Sequence, residues 1–270
     1  MCALVRYGTL RTARAGRAEH RFREGRPLST TSRRAPRRAI PRRSVLRYVL
    51  IALAIVIVVA NVVSQQSVAA DDDDPPPAPG TALAALARLE VKGPAADTGY
   101  ERSLFGAAWA DVDGNGCDTR NDILARDLTD LTYSTRGEPC EIRTGTFQDP
   151  YTGERIDFRR GNETSMAVQI DHVVPLLDAW RKGAQSWDDE TRERFANDPL
   201  NLLASDGPSN QSKGARDASA WLPPNHAFRC PYVARQIAVK SAYELAVTPS
   251  ESEAMARVLE DCPAEPLPAG

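Results

Sequence analysis

The dipeptide Asp171-His172 stands at the end of the apolar run in QIDHVVPLLDAW, and Pro175 follows three residues later, in a chain with only three histidines. Downstream, NLLASDGPSNQSKGARD sets Asn201 and Asn210 nine residues apart, with Lys213 three residues beyond the second. A neutral imidazole, with an ordinary pKa of about 6.5, can take a proton from water near neutral pH. Carboxylate and amide oxygens are the donors that a hard ion such as Mg2+ accepts while keeping several of its waters. Together these residue types could carry out metal-assisted hydrolysis. An Asp-His pair by itself is more often a hydrogen-bonded structural feature, so the elements around it decide how it is read.

SMAVQIDHVVPL reads as a strand that Pro175 stops, preceded by the strand-like GTFQDPYTGERIDFRR; the two are expected to form a β-hairpin closing through GNET. LLDAWRKGAQSWDDETRERFANDP reads as helix with a break near Gly183, and LNLLAS as a short strand. Asp206 or Gly207, with Pro208 in the first turn, then starts a helix that carries Asn210 and Lys213. TALAALARLEVK, RNDILARDLTDLTY and CPYVARQIAVKSAYELAV have helical spacing, Thr81 standing as N-cap of the first. PSESEAMARVLEDC follows as a last helix, with Ser250 and Glu253 placed as a capping box.

The order is strand with Asp-His, loop, strand with Asn, helix with Asn. It resembles the ββα-metal site of HNH endonucleases in the variant whose last histidine is an asparagine, and DHVVP followed by the Asn201 to Asn210 spacing is similar to the HNH domain of CRISPR effector proteins. Over roughly residues 98 to 262, DVDGNGCDTRNDILARD, FANDPLNLLA and SNQSKGARDASAWLPP resemble secreted bacterial HNH-family proteins related to the C-terminal domain of GmrSD-type restriction endonucleases. The resemblance implies an α+β fold, a small ββα core embedded in helices, and metal-dependent cleavage of nucleic acid, DNA foremost. Residues i and i+1 of a strand point to opposite sides, so Asp171 and His172 could flank a phosphate, Asp171 on the cation and His172 on the attacking water. Asn210 is then the second ligand of one divalent ion, Mg2+ or Mn2+. The resemblance assigns Asn201 to orienting the loop and the base, while Lys213 shares the Asn210 helix face and could reach a phosphate oxygen. Asp217, seven residues from Asn210, could brace that face.

A second cluster, DVDGNGCD, has Asp111, Asp113 and Asn115 at alternate positions, and Asp122 stands twelfth. The spacing is that of a Ca2+ loop with aspartate replacing the usual last glutamate, although such runs are also ordinary tight turns. As a turn, the segment would present Arg120 to a phosphate. Cys117, Cys140, Cys230 and Cys262 are even in number and lack C-x2-C spacing, which favours two disulfides over zinc; the sequence-local pairs Cys117 with Cys140 and Cys230 with Cys262 are expected.

Residues 1–47 hold fourteen arginines, no lysine and two acids, a composition that cannot bury a core. Residues 48–64 are uncharged and apolar. As a helix, sixteen of them would span about 24 Å, somewhat short of a hydrocarbon core of roughly 30 Å, so both a membrane anchor and a signal peptide stay open. In either case the N-terminus stays inside and the remainder is exported. Residues 65–80, with an Asp run and four prolines, read as a linker, and residues 81–270 as the exported domain. From residue 64 onward there are 20 basic and 34 acidic residues, so nothing general attracts a polyanion and any such substrate needs a local site. No organic cofactor is implied. The competing functional reading is a non-catalytic, calcium-binding, disulfide-stapled envelope module in which the same acids are structural.

Overall fold

The computed structural model describes residues 51–56, 77–135, 139–161 and 164–268. Two compact units are distinguished, Met1–Asp72 and Asp73–Gly270. In the first, residues 51–56 are helical and exposed; the rest of the expected apolar segment and the basic N-terminus lie outside the described residues. Among the described residues no helix is long and apolar enough to cross a membrane; of the apolar segment at residues 48–64 only 51–56 are described.

The second unit is a mixed α and β domain. It opens with helix α1, Ala82–Leu86, whose first turn is closed by the Thr81 hydroxyl accepting from the Ala84 amide at 3.2 Å. Helix α2, Thr119–Asp127, is capped by Asp118, which accepts from the Asn121 amide at 2.7 Å. The helical reading of RNDILARDLTDLTY fails past this point: Leu128–Tyr133 is strand β1, because its threonines and tyrosine favour a pleated surface and pair with β2, Ile142–Gln148.

Strand β3, Arg155–Arg159, pairs with β2, and β4, Val168–His172, pairs antiparallel with β5, Leu202–Asp206. The expected hairpin between β3 and β4 is therefore wrong. The tight turn lies earlier, where the Asp149 carboxylate accepts from the Thr152 amide and hydroxyl and Gly153 takes φ +79, which closes β2 onto β3. β4 instead finds a distant partner whose residues 202–205 are all buried, and Val168, Ile170, Leu202 and Ala204 join one apolar cluster with Ile123 and Phe147.

Helices α3, Leu176–Lys182, and α4, Asp189–Asn197, fill the stretch between β4 and β5, with Gly183 at the break. α5, Gly207–Lys213, follows β5 directly, capped by Asp206 through the Ser209 amide at 2.8 Å. Gly207 is needed there, since a Cβ would meet the Met166 carbonyl oxygen at 2.1 Å. α6, Arg229–Ala242, and α7, Pro249–Glu260, complete the domain. The capping box of α7 is Thr248 with Glu251, two residues before the expected pair. Glu251 is fixed there because its carboxylate is also buried against Lys182 at 2.7 Å and Lys240 at 3.0 Å, in a network that Asp178 and Asp217 complete.

Disulfides join Cys117 to Cys140, with Cα atoms 5.5 Å apart, and Cys230 to Cys262, at 6.4 Å. The second ties the start of α6 to the chain just past α7.

Candidate functional site

β4, β5 and α5 form a strand, strand, helix unit, and one cavity of about 310 Å3 beside it is bordered by Asp171, His172 and Asn210. In β4 the alternation of side chains separates the first two. Asp171 is buried and accepts Lys213 Nζ at 2.9 Å on Oδ1 and the Tyr151 hydroxyl at 2.6 Å on Oδ2. Burial raises its carboxyl above the ordinary range, opposed by Lys213 and Tyr151. Lys213, expected on the Asn210 helix face within reach of a phosphate oxygen, is fully buried; its ammonium also donates to the His172 carbonyl at 2.8 Å. It is an internal counter-charge at the end of α5.

His172 turns to other partners. Its Nε2 lies 2.8 Å from the Ala196 carbonyl in the last turn of α4. A carbonyl can only accept, so Nε2 carries the hydrogen, and in the neutral ring Nδ1 keeps its lone pair. The Trp109 ring stacks on the imidazole, with centroids 6.3 Å apart and planes 16° from parallel. Burial pushes the His172 pKa down to about 3, helped by Arg102 and Lys213 and opposed by the Ala196 carbonyl. The ring is thus unprotonated across the neutral range.

Asn201 is fully buried and borders neither the cavity nor Asp171; it holds the loop leaving β4. Its Oδ1 accepts the Val174 amide at 2.8 Å, while Nδ2 donates to the Val174 carbonyl at 3.3 Å and the Phe195 carbonyl at 3.5 Å. The second carbonyl precedes the one that holds His172, so Asn201 joins the β4 exit to the α4 turn that orients the ring. Asn210 donates through Nδ2 to Gln169 Oε1 at 2.9 Å, which leaves its Oδ1 without a hydrogen bond among the described residues.

Asp171 and Asn210 thus border one cavity, and carboxylate and amide oxygens are donors of the kind a hard divalent ion takes rather than a soft one. Lys213 and Tyr151 already occupy part of the carboxylate, so an ion would share it with them. Among the described residues there is no group of three or more His, Cys, Asp or Glu side chains able to hold a metal, and such an ion would have two protein oxygens and otherwise water.

Asp111, Asp113, Asn115 and Asp122 do converge. Asp111 Oδ1 and Asp113 Oδ1 each accept the Asn115 amide at 3.1 Å, Asp111 Oδ2 accepts the Gly116 amide at 2.9 Å, and Asp122 accepts Asn115 Nδ2 at 3.2 Å. Burial, followed by the neighbouring aspartates, raises Asp122 against the pull of Asn115. Most of the loop's carboxylate contacts are with its own amides, as in a tight turn. Asp217 does not brace the α5 face; it accepts Lys182 Nζ at 2.8 Å. Arg120 donates to the Val168 carbonyl at 3.2 Å and faces a separate cavity, outside the one at Asp171.

Sequence reasoning missed Tyr151, Trp109 and Arg102. Tyr151 sits in the β2 to β3 turn, 20 residues before Asp171, and only the register of the sheets brings it there. Trp109 has φ 63, a conformation that bulky residues avoid, and Arg102 borders the cavities on both sides of His172.

Residues 118–258 match the family described as GmrSD restriction endonucleases, C-terminal domain. A protein of Arthroderma benhamiae called an "uncharacterized secreted protein" is 36% identical over 184 residues, covering 67% of this chain and 85% of its own length. That relative is fungal, so the likeness expected to bacterial secreted proteins is not confined to bacteria. No solved structure matches. The chain belongs to the family of the C-terminal domain of GmrSD restriction endonucleases.

Proposed function

We propose that the chain is an exported endonuclease of the HNH type that hydrolyses phosphodiester bonds in nucleic acid, DNA foremost. The observation that carries this reading is the histidine: fixed by a backbone carbonyl through Nε2 and bordering the same cavity as Asp171 and Asn210. Export is supported by the secreted description of the relative and by the two disulfides, which belong to an oxidising compartment.

In this reading His172 Nδ1 takes the proton of a water aimed at phosphorus, and the Ala196 carbonyl steadies the imidazolium that forms. Asn201 acts as a positioning residue, holding both the strand exit and the α4 turn. Asp171 and Asn210 would hold one divalent cation, Mg2+ or Mn2+, which when bound supplies positive charge for the phosphate and leaving oxygen. Tyr151 and Lys213 keep Asp171 in place, and Lys213 limits the negative charge that faces the substrate. Arg102, which borders the cavities on both sides of the ring, has no carboxylate within ion-pair distance among the described residues and is free to meet a phosphate oxygen.

The test is cleavage of plasmid DNA and of RNA by the full chain with oxidised cysteines, in Mg2+ or Mn2+. Both a chelator and His172→Ala should abolish it. Undiminished cleavage by a clean His172→Ala preparation would refute the mechanism, and no cleavage of either polymer in any metal would refute the function.

A further inference from the structure

A second cavity, of about 710 Å3, is bordered by Arg120, Arg143, Arg160, Glu141, Trp109 and Gln169. Three guanidinium groups meet here in a domain that is otherwise acidic, and one carboxylate serves them. Arg143 Nη1 is 3.1 Å from Glu141 Oε1, Arg160 Nε is 3.9 Å from the same atom, and Arg120 has no ion pair among the described residues. Two of the arginines are held by neutral groups: Arg120 donates to the Val168 carbonyl at 3.2 Å, and Arg160 to the Ile142 carbonyl at 2.7 Å and to Asn121. These hydrogen bonds fix position without cancelling charge. Arg160 lies close enough to Arg120 to disfavour its protonated form, after burial the largest influence on it. Like charges assembled at fixed positions cost free energy that a bound anion recovers.

The cavity also adjoins the reacting centre. Its wall includes Trp109, whose ring stacks on His172, and Gln169, whose amide oxygen accepts Asn210 Nδ2 at 2.9 Å. Trp109, held in its φ 63 conformation, lines this cleft and stacks on His172. Strained backbone of this kind persists where surrounding structure imposes it, and here it places an aromatic face between a cluster of cations and the base.

We propose that the Arg120, Arg143, Arg160 cleft binds a backbone phosphate of the substrate strand adjacent to the one that is cleaved, with Trp109 between the two. The inference rests on the nuclease reading and narrows it: the substrate is a polynucleotide long enough to reach both sites. The net negative charge of the exported part makes this cleft the local attraction that such a strand requires.

The experiment measures binding of a fluorescent 12-mer, as DNA and as RNA, to the full chain in a His172→Ala background with Mg2+, over a range of salt concentrations. Arg143 is exposed and its one side-chain partner is Glu141, so Arg143→Glu leaves the fold intact, which its melting temperature verifies. It should weaken binding about tenfold and flatten the log Kd against log salt slope by about 1. Glu141→Gln should do the opposite and tighten binding about threefold. Arg257→Ser, an exposed arginine on α7, serves as control for loss of one surface charge. Wild-type affinity and slope in both cleft variants, with His172-dependent cleavage of the same strand retained, would overturn the cleft and leave the nuclease reading standing. Absence of both binding and cleavage would overturn the two together.

Discussion

Replacing Asn201 by alanine tests whether the loop behind the base is built as the hydrogen bonds suggest. The side chain is fully buried and makes three bonds, of which the Val174 amide at 2.8 Å is the strongest and the two carbonyl contacts, at 3.3 and 3.5 Å, are weak. Truncation strands the Val174 N–H away from water, which costs about 1–3 kcal/mol. The weak contacts and the small void bring the total to roughly 2–4 kcal/mol. For a domain of this size that is a fall in Tm of about 5–15 °C. Because Phe195 and Ala196 share the turn that holds His172, the ring should also lose its fixed direction, and a misplacement of about 1 Å can cost on the order of a hundredfold in rate. The assay is a thermal melt together with kcat for oligonucleotide cleavage, taken 20 °C or more below the mutant Tm. A mutant with lowered Tm but wild-type kcat would refute the link from Asn201 to the base. A mutant with unchanged Tm would refute the assignment of the buried N–H itself.

Gly207→Ala should be more severe than the usual helix substitution, since its Cβ would meet the Met166 carbonyl oxygen at 2.1 Å; a Tm within 2 °C of wild type would show that the β4 and α5 approach is looser than described. Lys182→Met leaves Asp178, Asp217 and Glu251 with too little positive charge in a buried setting, and urea unfolding should report a loss of about 3–5 kcal/mol. In chelator, acidification tests the depressed His172 pKa. The unfolded chain takes up a proton near pH 6.5, whereas the folded ring waits until about pH 3. The histidine's contribution therefore costs stability as pH falls through that window, by up to about 1.4 kcal/mol per pH unit. Compared with His172→Gln, the wild type should lose relative stability between pH 6.5 and 4.5; parallel curves would contradict the half-buried, neutral imidazole.

Much of the site was legible because its residues sit near strand and helix ends that sequence marks clearly. Pro175 bounds β4, and Asp206, Gly207 and Pro208 announce α5, so Asp171, His172 and Asn210 fall in the elements their sequence marks, whereas Asn201, expected in the strand, stands in the turn just before β5. Lys213 was seen as a helix-face neighbour of Asn210, yet its burial was hidden, because a lysine at such a spacing is ordinarily solvated and only the tertiary fold shows that it ends against Asp171. The partner of β4 was misread for a related reason. Turn residues near Gly161 suggested a local hairpin, whereas the pairing is decided by which apolar faces meet, and β5 carries the one that matches. The leucines of β1 fall at spacings that suit a helix as well as a strand, and the β2 edge decides between them. Tyr151 had no signal at all, since its role depends on a turn 20 residues from the carboxylate it contacts.

The two helices inserted between β4 and β5 bear on when the site can assemble. Asp171 meets Lys213 across 42 residues of sequence, and Tyr151 reaches Asp171 from 20 residues before it. Closing the loop between the paired strands, roughly 30 residues, costs about 3 kcal/mol of chain entropy before any contact of the site repays it. Contacts of such range form late, after local helices. A chain still being synthesised or still unfolded therefore carries Asp171, His172, Asn210 and Lys213 without the site, and they come together only once the domain has closed.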